Sequence, residues 1–114
     1  MLVGLGLTLA AGAQTRRDVT VKAHKYAFAV DGKEPARIQV QKDDLVHVTF
    51  STDDIPHSME IDGYKIAKRA ERGKPAVFDF RADQVGTFTF FCKLEIDDGC
   101  KKMRGELIVV AKDR

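Results

Sequence analysis

Val46-His47-Val48-Thr49-Phe50 places an apolar residue at every second position. That period belongs to a strand with one face buried and the other wet. It returns at Val19, Val21 and Ala23, at Ile38 and Val40, and in Val77-Phe78-Asp79-Phe80, Thr87-Phe88-Thr89-Phe90-Phe91 and Leu107-Ile108-Val109-Val110. Tyr26 and Phe28 continue the first run after a shift of phase, which suggests a bulge. Asp31-Gly32, Lys42-Asp43-Asp44 and Asp53-Asp54-Ile55-Pro56 punctuate the runs as turns. Tyr64 to Arg72 reads as a short helix or an irregular crossing, ended by Gly73 and Pro75. About seven or eight short strands, with turns roughly every eight to twelve residues, predict an all-β fold, an antiparallel β-sandwich.

At 114 residues the chain holds one domain and no second. Its 19 basic and 17 acidic residues leave a net charge of +2, far from the excess a nucleic-acid binder needs. Seven Phe, two Tyr and no Trp, among many Val and Thr, agree with β-structure. No repeat or low-complexity tract interrupts the chain. Neither a nucleophile–base pair nor a phosphate loop stands out, so the expectation is a protein that is no enzyme.

Residues 1–13, MLVGLGLTLAAGA, carry no charge. They are too short for a membrane span and suit the apolar part of a secretory signal, with small residues at 11–13 for cleavage. No Lys or Arg precedes the run, which reads as a start truncated in the recorded sequence. We expect a signal over 1–13, a linker over 14–17 and the folded domain over 18–114, periplasmic or secreted, with no membrane span in the mature chain. In that setting cysteines are free to oxidise or to hold a metal.

Both cysteines fall in FCKLEIDDGCKKMRG, residues 91–105, as Cys92 and Cys100, with Met103 three residues on. Cys92 ends the Phe-rich strand, Met103 precedes the last strand, and His57 follows a turn after a central strand. All three can meet at one end of a sandwich. A thiolate, an imidazole and a thioether together suit copper rather than calcium or magnesium. Phe90, Phe91, Ile96 and Met59 are candidates for an apolar collar that shields the thiolate. Other readings stay open. Cys92 and Cys100 form a disulfide, whose loop closure stabilises the fold by roughly 2–3 kcal/mol. His57 caps a turn, and Met103 only fills core space. His24 and His47 read as surface or half-buried side chains, and Met59 as core. Glu95, Asp97 and Asp98 read as a solvated loop tip, or as a patch that docks a basic partner or steers cations. Lys65, Lys68, Arg69, Arg72 and Lys74 read as a solvated face.

Over about residues 18–112 the chain resembles the cupredoxins, in particular the copper-binding domain of cytochrome c oxidase subunit II and of nitrous oxide reductase. The resemblance is carried by Asp54-Ile55-Pro56-His57-Ser58-Met59, by Gly86-Thr87-Phe88-Thr89-Phe90-Phe91-Cys92 and by Met103-Arg104-Gly105-Glu106-Leu107-Ile108-Val109. It implies a Greek-key, cupredoxin-like sandwich. In the two-copper members a second Cys, a His and a Met follow the first Cys at positions that here hold Ile96, Cys100 and Met103. With Ile96 in place of the second bridging thiolate, the resemblance implies one copper ion per chain. Its ligands would be His57, Cys92 and Cys100, with Met103 as a weaker fourth. Two thiolates favour Cu(I), and the same set also suits zinc. The expected function is electron transfer with a redox partner protein. One alternative is a Cu(I) chaperone, or a storage or delivery protein, that hands copper to a receiving protein. A second is a metal-free binding module closed by a Cys92–Cys100 disulfide. In each case we expect a monomer that does not bind nucleic acid.

Overall fold

In a computed structural model of the chain, the described residues are 15–94 and 98–112. The expected secretory signal, and Glu95, Ile96 and Asp97 in the expected ligand loop, lie outside them.

The described residues form nine strands: β1 (Arg16–His24), β2 (Ala27–Val30), β3 (Arg37–Gln41), β4 (Leu45–Thr52), β5 (His57–Ile61), β6 (Ile66–Ala70), β7 (Ala76–Arg81), β8 (Gly86–Phe91) and β9 (Arg104–Val110). A 3-10 turn, Cys100–Lys102, precedes β9. The strands form two sheets, ordered β2-β1-β4-β7 and β3-β9-β8-β5-β6. Each sheet turns its apolar positions inward: Val46, Val48 and Phe50 of β4 are fully buried, while His47 and Thr49 are half-buried on the other face. Phe28 of β2 meets Phe90 of β8 edge-on across the core, ring centroids 5.1 Å apart. The expected β-sandwich is the fold.

Four details differ from the sequence reading. First, Tyr26 and Phe28 do not follow a bulge. The chain reverses at Lys25-Tyr26, and β2 pairs antiparallel with β1, Ala23 opposite Phe28. That turn has none of the Gly, Pro, Asn or Asp chemistry that signals a reversal. Second, Ile66–Ala70 is neither helix nor irregular crossing but strand β6, at the edge of its sheet. An edge strand exposes more of its side chains and tolerates lysines, so its alternation is blurred. Third, His57 does not merely follow a turn; it opens strand β5, which raises the strand count to nine. Fourth, the sheets are mixed: β1 lies parallel to β4 and β3 parallel to β9. A two-residue period fixes which face a side chain takes and is silent on the direction of the neighbouring strand.

One end of the second sheet gathers the sulfur residues. In the β8–β9 ladder Phe90 faces Gly105 and Phe91 faces Arg104. One step further, where the strands part, Met103 follows opposite Cys92. In the β5–β8 ladder Glu60 faces Phe91, so the start of β5, with His57, runs past the same end.

Gly105 makes this ladder possible. A Cβ built there would stand 2.1 Å from the Phe90 ring, and Phe90 is fully buried. Gly105→Ala is therefore expected to destabilise the fold by about 1–3 kcal/mol, the usual penalty of overpacking. Chemical denaturation measures it. Phe90→Leu added to Gly105→Ala should recover part of the loss; a neutral Gly105→Ala would show that the strands have room to part.

Candidate metal centre

Pro56 has no N–H to give a ladder, so the chain between β4 and β5 folds on side-chain bonds instead. Thr52 Oγ1 donates to the Ile55 carbonyl at 2.7 Å and accepts the Asp54 N–H at 3.3 Å. Asp54 then becomes a hub. Its Oδ1 accepts from the Ile55 N–H at 2.7 Å and from His57 Nε2 at 2.9 Å, and its Oδ2 accepts the Lys25 N–H at 2.8 Å. Burial pushes this carboxyl up, but the Lys25 and Ile55 N–H bonds, with the bond and charge of His57, outweigh it and hold it at about 2.

His57 is fully buried, and its Nδ1 has no hydrogen-bond partner. The next residue reaches the sulfurs: the Ser58 N–H donates to Cys92 Sγ at 3.3 Å. Ser58 Oγ lies 3.8 Å from the same sulfur and accepts the Lys93 N–H at 2.8 Å. Cys100 Sγ accepts the Leu94 N–H at 3.0 Å. Cys92 and Cys100 are joined as a disulfide. Met103 is buried beside the 3-10 turn, its N–H bonded to the Cys100 carbonyl. Among the described residues, no three His, Cys, Asp or Glu side chains gather as a metal-holding group.

The four candidate residues, His57, Cys92, Cys100 and Met103, are thus all buried, and the cysteines are bonded to each other. Ile96 falls outside the described residues. Of the expected collar, Phe90 and Met59 are fully buried and Phe91 half-buried. The other histidines have carboxylate partners: His47 pairs with Asp79, and His24 Nε2 lies 3.2 Å from Glu34, whose hydrogen bond holds the His24 imidazole above its ordinary value. In the basic stretch, Lys68 and Arg69 are exposed, with Lys68 over the Phe78 ring and Arg69 3.4 Å from Glu71. Two residues of the site carry no role in the sequence reading, Asp54 and Ser58. Asp54-Ile55-Pro56-His57 did hold a signal, because a carboxylate three residues before a histidine across a proline turn can fold back onto the ring.

Do these residues fit a soft metal? The decisive atom is His57 Nδ1. A buried polar atom without a partner costs about 1–3 kcal/mol, and Asp54 already occupies the other ring nitrogen. A metal-binding imidazole has this arrangement, one nitrogen fixed by a carboxylate and the other bare. Reduced, Cys92 and Cys100 would add two sulfurs, each already receiving a backbone N–H. The donor set fits a soft cation.

A family profile described as a cupredoxin-like domain matches residues 1–109. The chain belongs to the cupredoxin-like domain family. No curated protein matches it by sequence. Among solved structures, this cupredoxin-like chain is similar to a subunit of a heme-copper terminal oxidase dimer (TM-score 0.74, 20% identity), covering 86% of this chain and 66% of that one. It is also similar to the periplasmic domain of subunit II of cytochrome oxidase of Bradyrhizobium japonicum (TM-score 0.74, 13% identity), covering 88% of each chain. A third likeness is to a mixed disulfide intermediate between a thioredoxin-like protein and subunit II of cytochrome c oxidase (TM-score 0.69, 15% identity), covering 87% of this chain and 84% of that one. At these identities the likeness is one of fold. The chain spans about two thirds of the first neighbour's length and most of the other two. Among the described residues no helix is long and apolar enough to cross a membrane.

The Asp54 hub gives a pH signature in the disulfide form. Its carboxyl titrates near 3.8 when unfolded and at about 2 when folded. The folded value is the lower one, so the stabilisation is fully present above about pH 4 and is lost as pH falls through about 2. It amounts to at most about 2 kcal/mol, lessened by the partial exposure of the carboxylate. Thermal melts should show Asp54→Asn less stable than the parent by a steady margin at neutral pH, closing as pH approaches 2. A margin independent of pH would mean that the charge of Asp54 contributes nothing.

Proposed function

We propose that this cupredoxin-like chain is an extracytoplasmic electron-transfer domain that binds one copper ion through His57, Cys92, Cys100 and Met103. The observation that carries the reading is the buried, unpartnered Nδ1 of His57 on the residue next to Ser58, whose N–H donates to Cys92 Sγ. When bound, copper supplies a one-electron couple. The chain's own residues do the rest. His57 offers a nitrogen held by Asp54, the Ser58 and Leu94 N–H groups favour thiolate charge on the sulfurs, and Met103 lends a weak sulfur from a buried position. The burial of all four residues keeps water out and limits rearrangement when the charge changes.

The disulfide sets the order of events. Two electrons and two protons from a dithiol convert Cys92–Cys100 to two thiols, the dithiol leaving as its own disulfide. Cys92 and Cys100 would then hold the metal as thiolates, giving up their protons. That a subunit II neighbour is caught in a mixed disulfide with a thioredoxin-like protein supports a reductant of this class here. The secretory signal expected over 1–13 and the periplasmic neighbour support a location outside the cytoplasm. The disulfide also favours a second reading, in which the chain is a metal-free sandwich and the bond is only structural.

Anaerobic reduction followed by copper titration separates the two. The copper reading expects one equivalent per chain and a large loss of affinity in His57→Ala, with little change in the stability of the metal-free form. Two tightly bound coppers sharing an electron, or a His57→Ala variant that binds as well as the parent, would overturn it. Cys100→His should give a stable Cu(II) form with strong thiolate-to-copper absorption. An unchanged spectrum and affinity would remove Cys100 from the ligand set. If the bond is only structural, Cys100→Ser costs about 2–3 kcal/mol under oxidising conditions and copper binding is absent throughout.

A further inference from the structure

Gly99 has an ordinary helical backbone, φ −68° and ψ −33°, so its conformation asks for no glycine. Its neighbour does. A Cβ built on Gly99 would overlap the Tyr26 ring, so the ring lies against the chain where any other residue would project. The contact joins the two sheets. Tyr26 is in the hairpin between β1 and β2 of the first sheet, and Gly99 caps the 3-10 turn that carries Cys100 into β9 of the second. Each partner is fixed on its own side. The Lys25 N–H is held by Asp54 Oδ2 at 2.8 Å, and the Lys25 carbonyl lies 3.2 Å from His24 Nδ1. The Gly99 carbonyl accepts the Lys102 N–H at 3.0 Å.

Tyr26 is 44% exposed, yet Cys100, next to Gly99, and its partner Cys92 are almost fully buried. A thiolate must reach a sulfur in line with the S–S bond, so neither can be attacked until something moves. Cys92 follows β8, which lies between β9 and β5 inside its sheet, and its sulfur receives the Ser58 N–H of β5. Cys100 opens a turn of three residues, tied across to the first sheet where Tyr26 meets Gly99. The movable side is the turn.

We infer that Tyr26, seated on Gly99, is a clasp that holds this turn closed and sets how fast an external dithiol reduces Cys92–Cys100. The step is thiol–disulfide exchange. A thiolate of the dithiol attacks one sulfur, the Cys92–Cys100 bond breaks, and the freed cysteine takes a proton. The dithiol's second sulfur then closes its own disulfide and releases the other cysteine as a thiol. Two electrons and two protons have passed to the chain. The ring must leave Gly99 before the first attack. The inference rests on the proposed function only in treating the bond as one that is meant to be reduced; the clasp is a property of the metal-free chain.

The oxidised, metal-free chain is mixed with excess dithiothreitol and its free thiols are counted against time. Tyr26→Ala should react about tenfold faster, the order expected from losing a half-buried aromatic ring. Tyr26→Phe keeps the ring and should stay nearer the parent. Gly99→Ala tests the contact from the other side: its Cβ displaces the ring on a backbone that alanine otherwise tolerates, and reduction should again be faster. Tyr64→Ala is the control for general loosening. It removes a ring packed edge-on against Phe80 and Phe88, beyond the far end of β5, and should leave the rate unchanged. A Tyr26→Ala variant that reacts at the parent rate overturns the inference, and so does a Tyr64→Ala variant that reacts as fast as Tyr26→Ala. If Tyr26→Ala fails to fold, Gly99→Ala at the parent rate is enough to overturn it. Copper is absent from these measurements, so a reduced chain that then binds no copper overturns the proposed function and leaves the rates standing.

Discussion

The Phe90 ring lies where a Gly105 side chain would be, and the site depends on that contact. Only a residue without a Cβ lets β9 approach β8 this closely with a fully buried aromatic between the sheets. The ring in turn meets Phe28 of the opposite sheet, so one side chain sets both the separation of the sheets and the register of two strands. From that register the positions at the end of the ladder follow. Cys92 and Met103 come opposite each other as the strands part, and the backbone between them returns through Cys100. The sulfurs gather because the strands are in phase.

The second half of the site is polar and is held differently. The segment between β4 and β5 cannot pair as a strand, and its groups close on each other through Thr52 and Asp54. This network ties Lys25 in one sheet to His57 in the other, so the histidine is referenced to both layers of the sandwich. A rigid apolar ladder places the sulfurs and a small polar hub places the nitrogen. They meet at Ser58, whose N–H bonds to Cys92 Sγ while its hydroxyl accepts the Lys93 N–H.

Much of this was legible in the chain, and the exceptions have one cause. Alternation at Val46, Val48 and Phe50 is a statement about faces, and faces came out as read. What alternation omits is the partner strand: hence the parallel pairing of β1 with β4, and the hairpin at Lys25-Tyr26 that read as a bulge. Edge strand β6 was obscured because exposed lysine and arginine replace half of its pattern. His57, Cys92, Cys100 and Met103, singled out by their spacing, are all buried. Asp54 was read only as part of a turn, since its bond to His57 depends on how that turn folds back, which the spacing Asp54-Ile55-Pro56-His57 permits but no periodic pattern requires.

The disulfide and the bare nitrogen account for each other once charge is considered. In the oxidised chain the sulfurs are neutral and bonded, and Nδ1 of the buried His57 is left without a partner. Reduction would leave two thiols in a place with almost no water, Cys92 being 2% and Cys100 1% exposed. Ionising both there without a counter-charge would be prohibitively unfavourable. A soft cation held by His57 and both sulfurs, as proposed, would supply that counter-charge. On the proposed reading the oxidised chain therefore has little affinity for copper and the reduced chain has much. On that reading the same two cysteines staple the fold when the metal is absent and would hold the metal when they are reduced. A second thiolate in place of an imidazole fits a site that must serve in both states, because a histidine at position 100 could join the metal but could not close the bond.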